Sequence, residues 1–255
     1  MATIRDVIEV IEEFAPLELQ ASFDNCGLKI GDVNRPVIGI MVTLDTNEAV
    51  VNEAIEKKCN LIIEHHPSIF YPIKSFDYKL PLTKAMTLAI KNDIAIYSAH
   101  TNIDFCENGL NDTIARKIGI TNISKTSVDG PRFGNIPRQT IGEYASKLST
   151  IFNDKHVKII GDESKYINSA AVVNGGGGNT EDLIAAITSE AEVYVTGDVK
   201  YNVARLAKDL NYAIIEIGHY NTEQDFMPLI GQLLKDKLNY NEIYMATTLL
   251  NPYNQ

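Results

Sequence analysis

The sequence predicts an α/β protein of two domains, each built on a mixed, largely parallel sheet flanked by helices. Short apolar runs alternate with amphipathic segments along the 255 residues, and such alternation is typical of strands and helices in α/β proteins. A stretch rich in Gly, Pro, Ser and Asn over residues 121–137 interrupts it near the middle of the chain, which indicates a boundary. We therefore predict a first domain over residues 1–127 and a second over residues 128–255, with the C-terminal strand able to return to the first.

The first half of the chain predicts helices near residues 4–14, 45–58, 82–91 and 110–117, and strands near residues 37–42, 60–63 and 94–98. The first helix follows from apolar residues at helical spacing, preceded by Thr3 and Asp6 at the spacing of a capping box. Asp45 with Glu48 predicts the start of the second helix. Residues 23–28 are expected to form a loop.

The second half predicts helices near residues 141–152, 181–188, 199–210 and 223–238, and strands near residues 157–160, 170–173, 193–196, 213–217 and 242–247. Thr222 with Asp225 is expected to cap the last helix. Four consecutive glycines, Gly175 to Gly178, follow the second of these strands. They lack the Gly-Lys-Ser/Thr ending of a phosphate-binding P-loop, so a tight turn is favoured over an anion site.

Composition excludes several classes of function. A net charge of −10 without any basic cluster argues against nucleic-acid binding, which depends on Lys and Arg. No apolar run reaches the roughly 18 to 20 residues of a membrane span, and the start of the chain lacks the pattern of a signal peptide. The three cysteines, Cys26, Cys59 and Cys106, have no CxxC spacing. They indicate a reducing compartment, and we expect a cytoplasmic protein that does not bind membranes.

Residues suited to metal binding recur directly after predicted strands. His65 and His66 follow the second strand, Asp104 follows the third, and His219 and Glu223 follow the second-last. Ligands of open α/β sheets bind outside the carboxyl ends of the strands, so we expect these five side chains to converge. Histidine and carboxylate ligands suit Zn, Fe, Mn or Ni, whereas a cysteine-rich set would indicate softer metals.

Each of these residues also has a simpler interpretation. Adjacent side chains of an extended segment point to opposite sides, which favours two neighbouring ions with one histidine each, or else one packed and one solvated histidine. Asp104 also fits a turn or a helix cap, and Glu223 a charge at a helix N-terminus. His100 is either a ligand or a residue that orients one. The fifth histidine, His156, lies in a polar stretch and is expected to be a solvated surface residue.

Five motifs occur together and in order: Asp24-Asn25-Cys26-Gly27-Leu28, Glu64-His65-His66-Pro67, Ser98-Ala99-His100-Thr101-Asn102-Ile103-Asp104, Gly197-Asp198 and Gly218-His219-Tyr220-Asn221-Thr222-Glu223. With them the chain resembles the Nif-three-like proteins, also called the GTP cyclohydrolase I type 2 family, over about residues 4–253. The resemblance implies a dinuclear metal site in the cleft between the two domains and assembly as a toroidal homohexamer. It also implies the minimal form of the family, without the insert domain of longer relatives.

The resemblance assigns the metal ligands by position. His65 and His66 contribute to the two divalent ions, Asp104 binds one, and His219 and Glu223 complete the site, with Glu223 as the bridge. His100 and Asp198 belong to the motifs without a ligand role and are candidates for orienting or catalytic residues. The chain departs from many relatives in having Phe23 in place of a tryptophan. It also lacks a histidine shortly after Gly-Asp, where residues 200–202 read Lys-Tyr-Asn.

The function expected from the sequence is a metal-dependent hydrolase acting on a small molecule, a nucleotide or related heterocycle. A divalent ion lowers the pKa of a coordinated water toward ~7 and so supplies the nucleophile. The alternative is a metal-binding, ring-forming scaffold or interaction protein without catalysis. An open coordination position on the ions favours the hydrolase, and closure by protein ligands favours the scaffold.

Overall fold

Helices and strands alternate along most of the chain. The computed structural model describes residues 2–248 and 251–253. The strands within these residues are β1 (Gly27–Ile30), β2 (Ile40–Thr43), β3 (Leu61–Glu64), β4 (Ala95–Ser98), β5 (Thr121–Lys125), β6 (Arg132–Thr140), β7 (Lys158–Ile160), β8 (Tyr166–Val173), β9 (Val193–Thr196), β10 (Ala213–Glu216) and β11 (Ile243–Met245). The α-helices are α1 (Ile4–Phe14), α2 (Glu48–Glu56), α3 (Pro81–Lys91), α4 (Thr101–Phe105), α5 (Leu110–Lys117), α6 (Ile141–Phe152), α7 (Thr180–Thr188), α8 (Tyr201–Asp209), α9 (His219–Glu223) and α10 (Phe226–Leu238).

Two compact units make up the chain. The first unit comprises Met1–Cys106 and Phe226–Pro252, and the second comprises Glu107–Asp225 with Tyr253–Gln255. The boundary predicted at residue 127 lies inside the second unit, in the turn over residues 126–131 between β5 and β6.

The first unit is built on a sheet with the strand order β1-β4-β3-β2-β11. The pairs formed by β4, β3, β2 and β11 are parallel, and β1 adds to β4 antiparallel. Every residue of β2, β3 and β4 is buried, as expected for central strands covered by helices on both faces. β1 begins in the last two residues of the segment predicted to be a loop; it is an edge strand whose partly exposed residues give no apolar run.

The second unit contains a sheet with the strand order β5-β6-β8-β9-β10-β7. β8, β9 and β10 are parallel neighbours. β5 pairs with β6, β6 pairs with β8 and β7 pairs with β10, all antiparallel. Two mixed sheets flanked by helices are therefore present, which confirms the predicted fold class. β5 and most of β6 occupy the stretch predicted to be a domain boundary. β5 was not predicted because it is an almost wholly exposed edge strand without apolar alternation.

Of the three helix caps predicted from the sequence, one is observed and two are not. Thr3 and Asp6 form the predicted capping box of α1. The cap of α2 is Asn47, whose side chain accepts a hydrogen bond from the backbone of Val50, and not the predicted Asp45. The hydroxyl of Thr222 accepts a hydrogen bond from the Gly175 backbone N–H, so it does not cap α10.

A buried carboxylate binds the segment that follows β11 in the first unit. Glu53 on α2 accepts hydrogen bonds from the backbone N–H groups and the hydroxyls of Thr247 and Thr248, at 2.8 to 3.1 Å. Burial opposes ionisation of this carboxyl, but these hydrogen bonds outweigh it and lower its pKa. The segment after β11 is therefore held against α2 by a charged acceptor.

Among the described residues, no helix has both the length and the apolarity needed to cross a bilayer.

The half-buried Asp182 on α7 makes the stability of the second unit depend on pH. Burial raises the pKa of this carboxyl from its ordinary 3.8 to about 6, although a hydrogen bond from Asn179 opposes the shift. The folded state therefore keeps the proton after the unfolded state has lost it, and the free energy of unfolding decreases as pH rises through this window. We expect a loss of at most about 3 kcal/mol between pH ~4 and ~7.

Asp182→Asn mimics the protonated carboxyl and is expected to remove this decrease. Urea unfolding at several pH values measures it, with Glu163→Gln, an exposed charge of the same unit, as the control. Equal pH slopes for wild type and Asp182→Asn would contradict the assignment.

Candidate metal-binding residues in the two units

The histidines of the first unit lie where two neighbouring strands end. Glu64, the last residue of β3, is paired with Ser98, the last residue of β4. His65 and His66 follow β3 directly, and His100 lies two residues after β4. Because the two strands are parallel, the residues that follow them meet at the same edge of the sheet.

Three imidazoles form one group there. One potential ligand atom from each of His65, His66 and His100 lies within 4.8 Å of the others. The ring centroids of His65 and His66 are 5.0 Å apart. The expectation that these adjacent side chains point to opposite sides is therefore wrong, because the extended conformation ends at Glu64 and the chain bends at both histidines.

Each imidazole of this group has its Nδ1 against an oxygen. The Nδ1 of the fully buried His65 lies 2.9 Å from the carbonyl oxygen of Ala99. The Nδ1 of His66 lies 3.0 Å from a carboxylate oxygen of Asp45, and that of His100 lies 2.9 Å from Asp24. Carbonyl and carboxylate oxygens only accept hydrogen bonds, so Nδ1 carries the proton and Nε2 is the nitrogen that would bind a metal.

Asp24, the first residue of the motif at residues 24–28, binds one of these histidines. Its side chain is fully buried and accepts hydrogen bonds from His100, from the backbone of Asn25, and from the backbone N–H and hydroxyl of Thr101. Burial opposes ionisation, but the bonds from His100 and Thr101 outweigh it and hold the pKa of Asp24 far below its usual range. The carboxylate is therefore a fixed negative charge behind His100.

Two further acidic residues of the first unit border the histidines. A carboxylate oxygen of Asp104 lies 3.8 Å from Nε2 of His65. Asp104 lies within the short helix α4 and is buried, so it is neither a turn residue nor an exposed cap. Burial raises the pKa of Glu64, which accepts hydrogen bonds from the backbone of Ser68 and the hydroxyl of Ser98. Glu64 thus fixes the segment that carries the two histidines.

An aromatic surface adjoins the histidines of the first unit. The ring of Phe70 lies 6.3 Å from that of His100, 6.4 Å from that of Phe23 and 4.8 Å from that of Tyr71. Phe23 is 68% exposed and Tyr71 is 77% exposed. Flat apolar faces are therefore open to solvent beside the imidazoles.

The second unit places its candidate ligands by the same strand-end rule. β8, β9 and β10 are parallel neighbours, and each is followed by a segment that contributes to the site. Gly175 follows β8, Asp198 follows β9, and His219 and Glu223 lie on α9 after β10. His219 and Glu223 are four residues apart on one helical turn, so their side chains share a face.

His219 lies between two carboxylates. Its Nδ1 is 2.7 Å from Asp198, and its Nε2 is 3.0 Å from Glu223. Burial lowers the pKa of His219, but the two carboxylates outweigh it and raise the pKa to about 10. A metal ion binds only the neutral imidazole nitrogen, so it would take the place of the proton on Nε2.

The glycine turn, Gly175 to Gly178, lies against these ligands. Gly175 has a φ of +54°, and a Cβ built there collides with the carboxylate of Glu223. A Cβ at Gly197 would lie 2.9 Å from the Cα of His219. The turn predicted to be merely tight therefore lets the backbone approach His219 and Glu223 more closely than any side chain permits.

Both groups have the composition of a divalent-metal site. Imidazole nitrogens with carboxylate oxygens suit Zn, Fe, Mn or Ni, and each Nδ1 is hydrogen-bonded in the way that fixes metal-binding histidines. Within the first unit, His65, His66 and Asp104 lie together with His100. Within the second unit, His219 and Glu223 lie together with Asp198. His156 is exposed.

One residue of these groups and one role were not predicted from the sequence. Asp45 was predicted to cap α2 but contacts His66 instead. Asp24 was noted as part of a motif without a role, and it proves to bind His100. The signal for Asp45 was its position two residues after β2, at the same sheet edge as the histidines.

Comparison with known proteins agrees with the motifs. The Duf34/NIF3 family (NGG1p interacting factor 3) matches residues 2–252. A Clostridium acetobutylicum protein named GTP cyclohydrolase 1 type 2 homolog is 33% identical over 98% of this chain and 97% of its own length. A Streptococcus pneumoniae protein of the same name is 34% identical over 97% of both chains. The crystal structure of a Bacillus cereus protein related to NIF3 covers 100% of this chain and 99% of its own with a TM-score of 0.92; at 22% identity this shows a shared fold. The resemblance found in the sequence is thereby confirmed, and the chain belongs to the Duf34/NIF3 family.

Proposed function

We propose that the chain is a metal-dependent hydrolase that binds two divalent ions through His65, His66, Asp104, His219 and Glu223. The observation that supports it most is the grouping of three imidazoles in the first unit, with ligand atoms within 4.8 Å of one another. The His219–Glu223 pair of the second unit adds a nitrogen and a carboxylate 3.0 Å apart. That all five residues serve the same pair of ions is part of this proposal.

The residues of the chain have distinct roles in this proposal. When bound, the ions acidify a water molecule for attack and polarise the bond that is broken. Asp104 and Glu223 offset the positive charge of the ions, and Glu223 is the proposed bridge between them. His65 is rigid, because it is fully buried and its Nδ1 is tied to the Ala99 carbonyl.

A nucleotide or related heterocycle is the proposed substrate. Relatives that align over almost the whole chain are named GTP cyclohydrolase 1 type 2 homolog. The exposed rings of Phe23 and Tyr71, with Phe70 between them and His100, offer flat faces on which a planar base can stack. Hydrolytic opening of a base ring and cleavage of a phosphoester both agree with this arrangement.

Metal analysis and a nucleotide assay test the proposal together. We expect two ions per chain after loading with Zn²⁺, Fe²⁺, Mn²⁺ or Ni²⁺, and metal-dependent turnover of GTP or another nucleotide. His219→Ala is expected to reduce kcat/KM by more than the ~10- to 100-fold typical of residues that only orient a ligand. His156→Ala removes an exposed histidine of the same unit. It is expected to change neither the number of bound ions per chain nor kcat/KM.

The outcomes separate the hydrolase from its rival. Turnover that is lost in His219→Ala and kept in His156→Ala supports the hydrolase. Two bound ions without turnover of any nucleotide contradict it and favour a ring-forming scaffold. Phe76, Tyr78 and Leu80 are exposed apolar side chains of one short segment, which agrees with such a contact role because exposed apolar surface is typical of interaction sites. The homohexamer stays a prediction from the resemblance.

A further inference from the structure

Two of the proposed metal ligands share an arrangement that the ligand assignment does not explain. His66 in the first unit and His219 in the second each have Nδ1 against an aspartate carboxylate, at 3.0 and 2.7 Å. The two aspartates, Asp45 and Asp198, are 53% and 51% exposed. An exposed ion pair contributes little to stability, so a purely structural role does not account for either aspartate.

Asp45 is held in place for this contact. Its carbonyl oxygen accepts a hydrogen bond from the hydroxyl of Thr43, at 2.9 Å. The backbone N–H of His66 donates to the carbonyl of Leu44, also at 2.9 Å, which fixes the two segments side by side. Asn47 caps α2, so the carboxylate of Asp45 is left to the imidazole.

Asp198 is also held in place for its contact with an imidazole, but through the backbone of the glycine turn. Its backbone N–H donates to the carbonyl of Gly175, at 3.0 Å. Gly178 allows this approach, because a Cβ there would collide with the Asp198 carbonyl oxygen. The loop after β9 is thereby fixed against the glycine turn, and the Asp198 carboxylate reaches His219.

We propose that Asp45 and Asp198 are positioning residues, each of which fixes one metal-binding imidazole as the tautomer that presents Nε2 to the ion. The inference rests on the proposed metal site. A carboxylate on Nδ1 keeps the proton there, sets the plane of the ring and makes Nε2 a stronger donor to a metal. An asparagine has nearly the same shape, but it is uncharged and offers an amide N–H as well as a carbonyl oxygen, so it no longer holds the proton on Nδ1 and lets the tautomer with the proton on Nε2 become populated.

The test compares Asp45→Asn and Asp198→Asn with two matched controls. Asp32→Asn in the first unit and Asp162→Asn in the second remove exposed carboxylates that accept from the backbone N–H two residues on. Zn²⁺ affinity is measured by competition with a chelator, and far-UV circular dichroism checks folding. We expect Kd to rise about 10- to 100-fold in Asp45→Asn and Asp198→Asn, and to stay within about twofold of wild type in the controls.

A second measurement does not require metal. Nitrogen-15 NMR of the metal-free chain reports which ring nitrogen of His66 carries the proton. We expect Nδ1 in the wild type and a shift of population toward Nε2 in Asp45→Asn. An unchanged tautomer together with an unchanged Kd overturns the proposal. If the wild type binds no Zn²⁺, the proposed function fails, and the tautomer of His66 alone decides whether Asp45 positions it.

Discussion

Replacing Gly175 by alanine is expected to weaken Zn²⁺ binding at least as much as the ~100-fold upper range for residues that orient ligands, while the chain stays folded. The added Cβ collides with the carboxylate of Glu223 and would lie 3.2 Å from Nε2 of His219. The carboxylate must therefore move away from His219, and the proposed bridge between the ions is lost. The φ of +54° adds strain, so a stability cost of about 1–3 kcal/mol is expected as well.

Gly176→Ala is the matched control for this experiment. A Cβ at Gly176 would have only the ring carbon Cε1 of His219 within reach, at 4.0 Å, which is an ordinary contact. Both variants add one methyl group to the same turn, so a difference between them isolates the collision with Glu223. Chelator competition measures the affinity and thermal unfolding the stability. Equal Zn²⁺ affinities in the two variants would show that Glu223 does not depend on the turn.

Replacing Arg132 by methionine is expected to cost about 3–5 kcal/mol of stability, the largest single effect on folding that we predict. Arg132 is 1% exposed. Its guanidinium binds the carboxylate of Asp112 on α5 and donates to the carbonyls of Val128 and Gly130, at 3.3 and 3.0 Å. Methionine fills much of the same volume but leaves a nearly buried carboxylate and two carbonyls without this cation.

A surface ion pair of the same unit is the control. Arg205 and Asp209 are four residues apart on α8 and exposed, so Arg205→Met is expected to cost no more than about 0.5 kcal/mol. Urea unfolding followed by circular dichroism measures both variants. A loss below 1 kcal/mol in Arg132→Met, on the order of a surface pair, would mean that Asp112 and the turn are stabilised by other groups.

Local patterns were sufficient to predict the central elements. α5 and α6 coincide with the helices predicted over residues 110–117 and 141–152, and β9 coincides with its apolar run. These elements were predictable because their own side chains form the buried face. β1 and β5 were missed because they are edge strands, fixed by the strand next to them and not by their own partly exposed side chains. The five-residue helices α4 and α9 depend in the same way on the sheet edges that they follow.

The candidate ligands were predictable for a similar reason, whereas of their supporting residues Asp198 was a candidate only through the family resemblance and Asp45 was not predicted. His65, His66 and His219 are found by residue type and by their position after apolar strands. Asp45 and Asp198 owe their contacts to the lateral order of strands in the sheets, with β2 beside β3 and β9 beside β10. No local sequence pattern predicts the lateral order of the strands. Asp45 was therefore predicted to cap a helix, because a capping aspartate and an aspartate that binds an imidazole have the same sequence pattern.

The return of β11 to the first sheet affects how the chain matures on the ribosome. β2 pairs with β11 on one side, and β11 is made only after every strand of the second unit. During translation the edge of β2 stays open while more than a hundred residues emerge behind it, and an open apolar edge pairs readily with foreign strands. Newly made chains are therefore most exposed to misassembly in the interval before β11 leaves the exit tunnel.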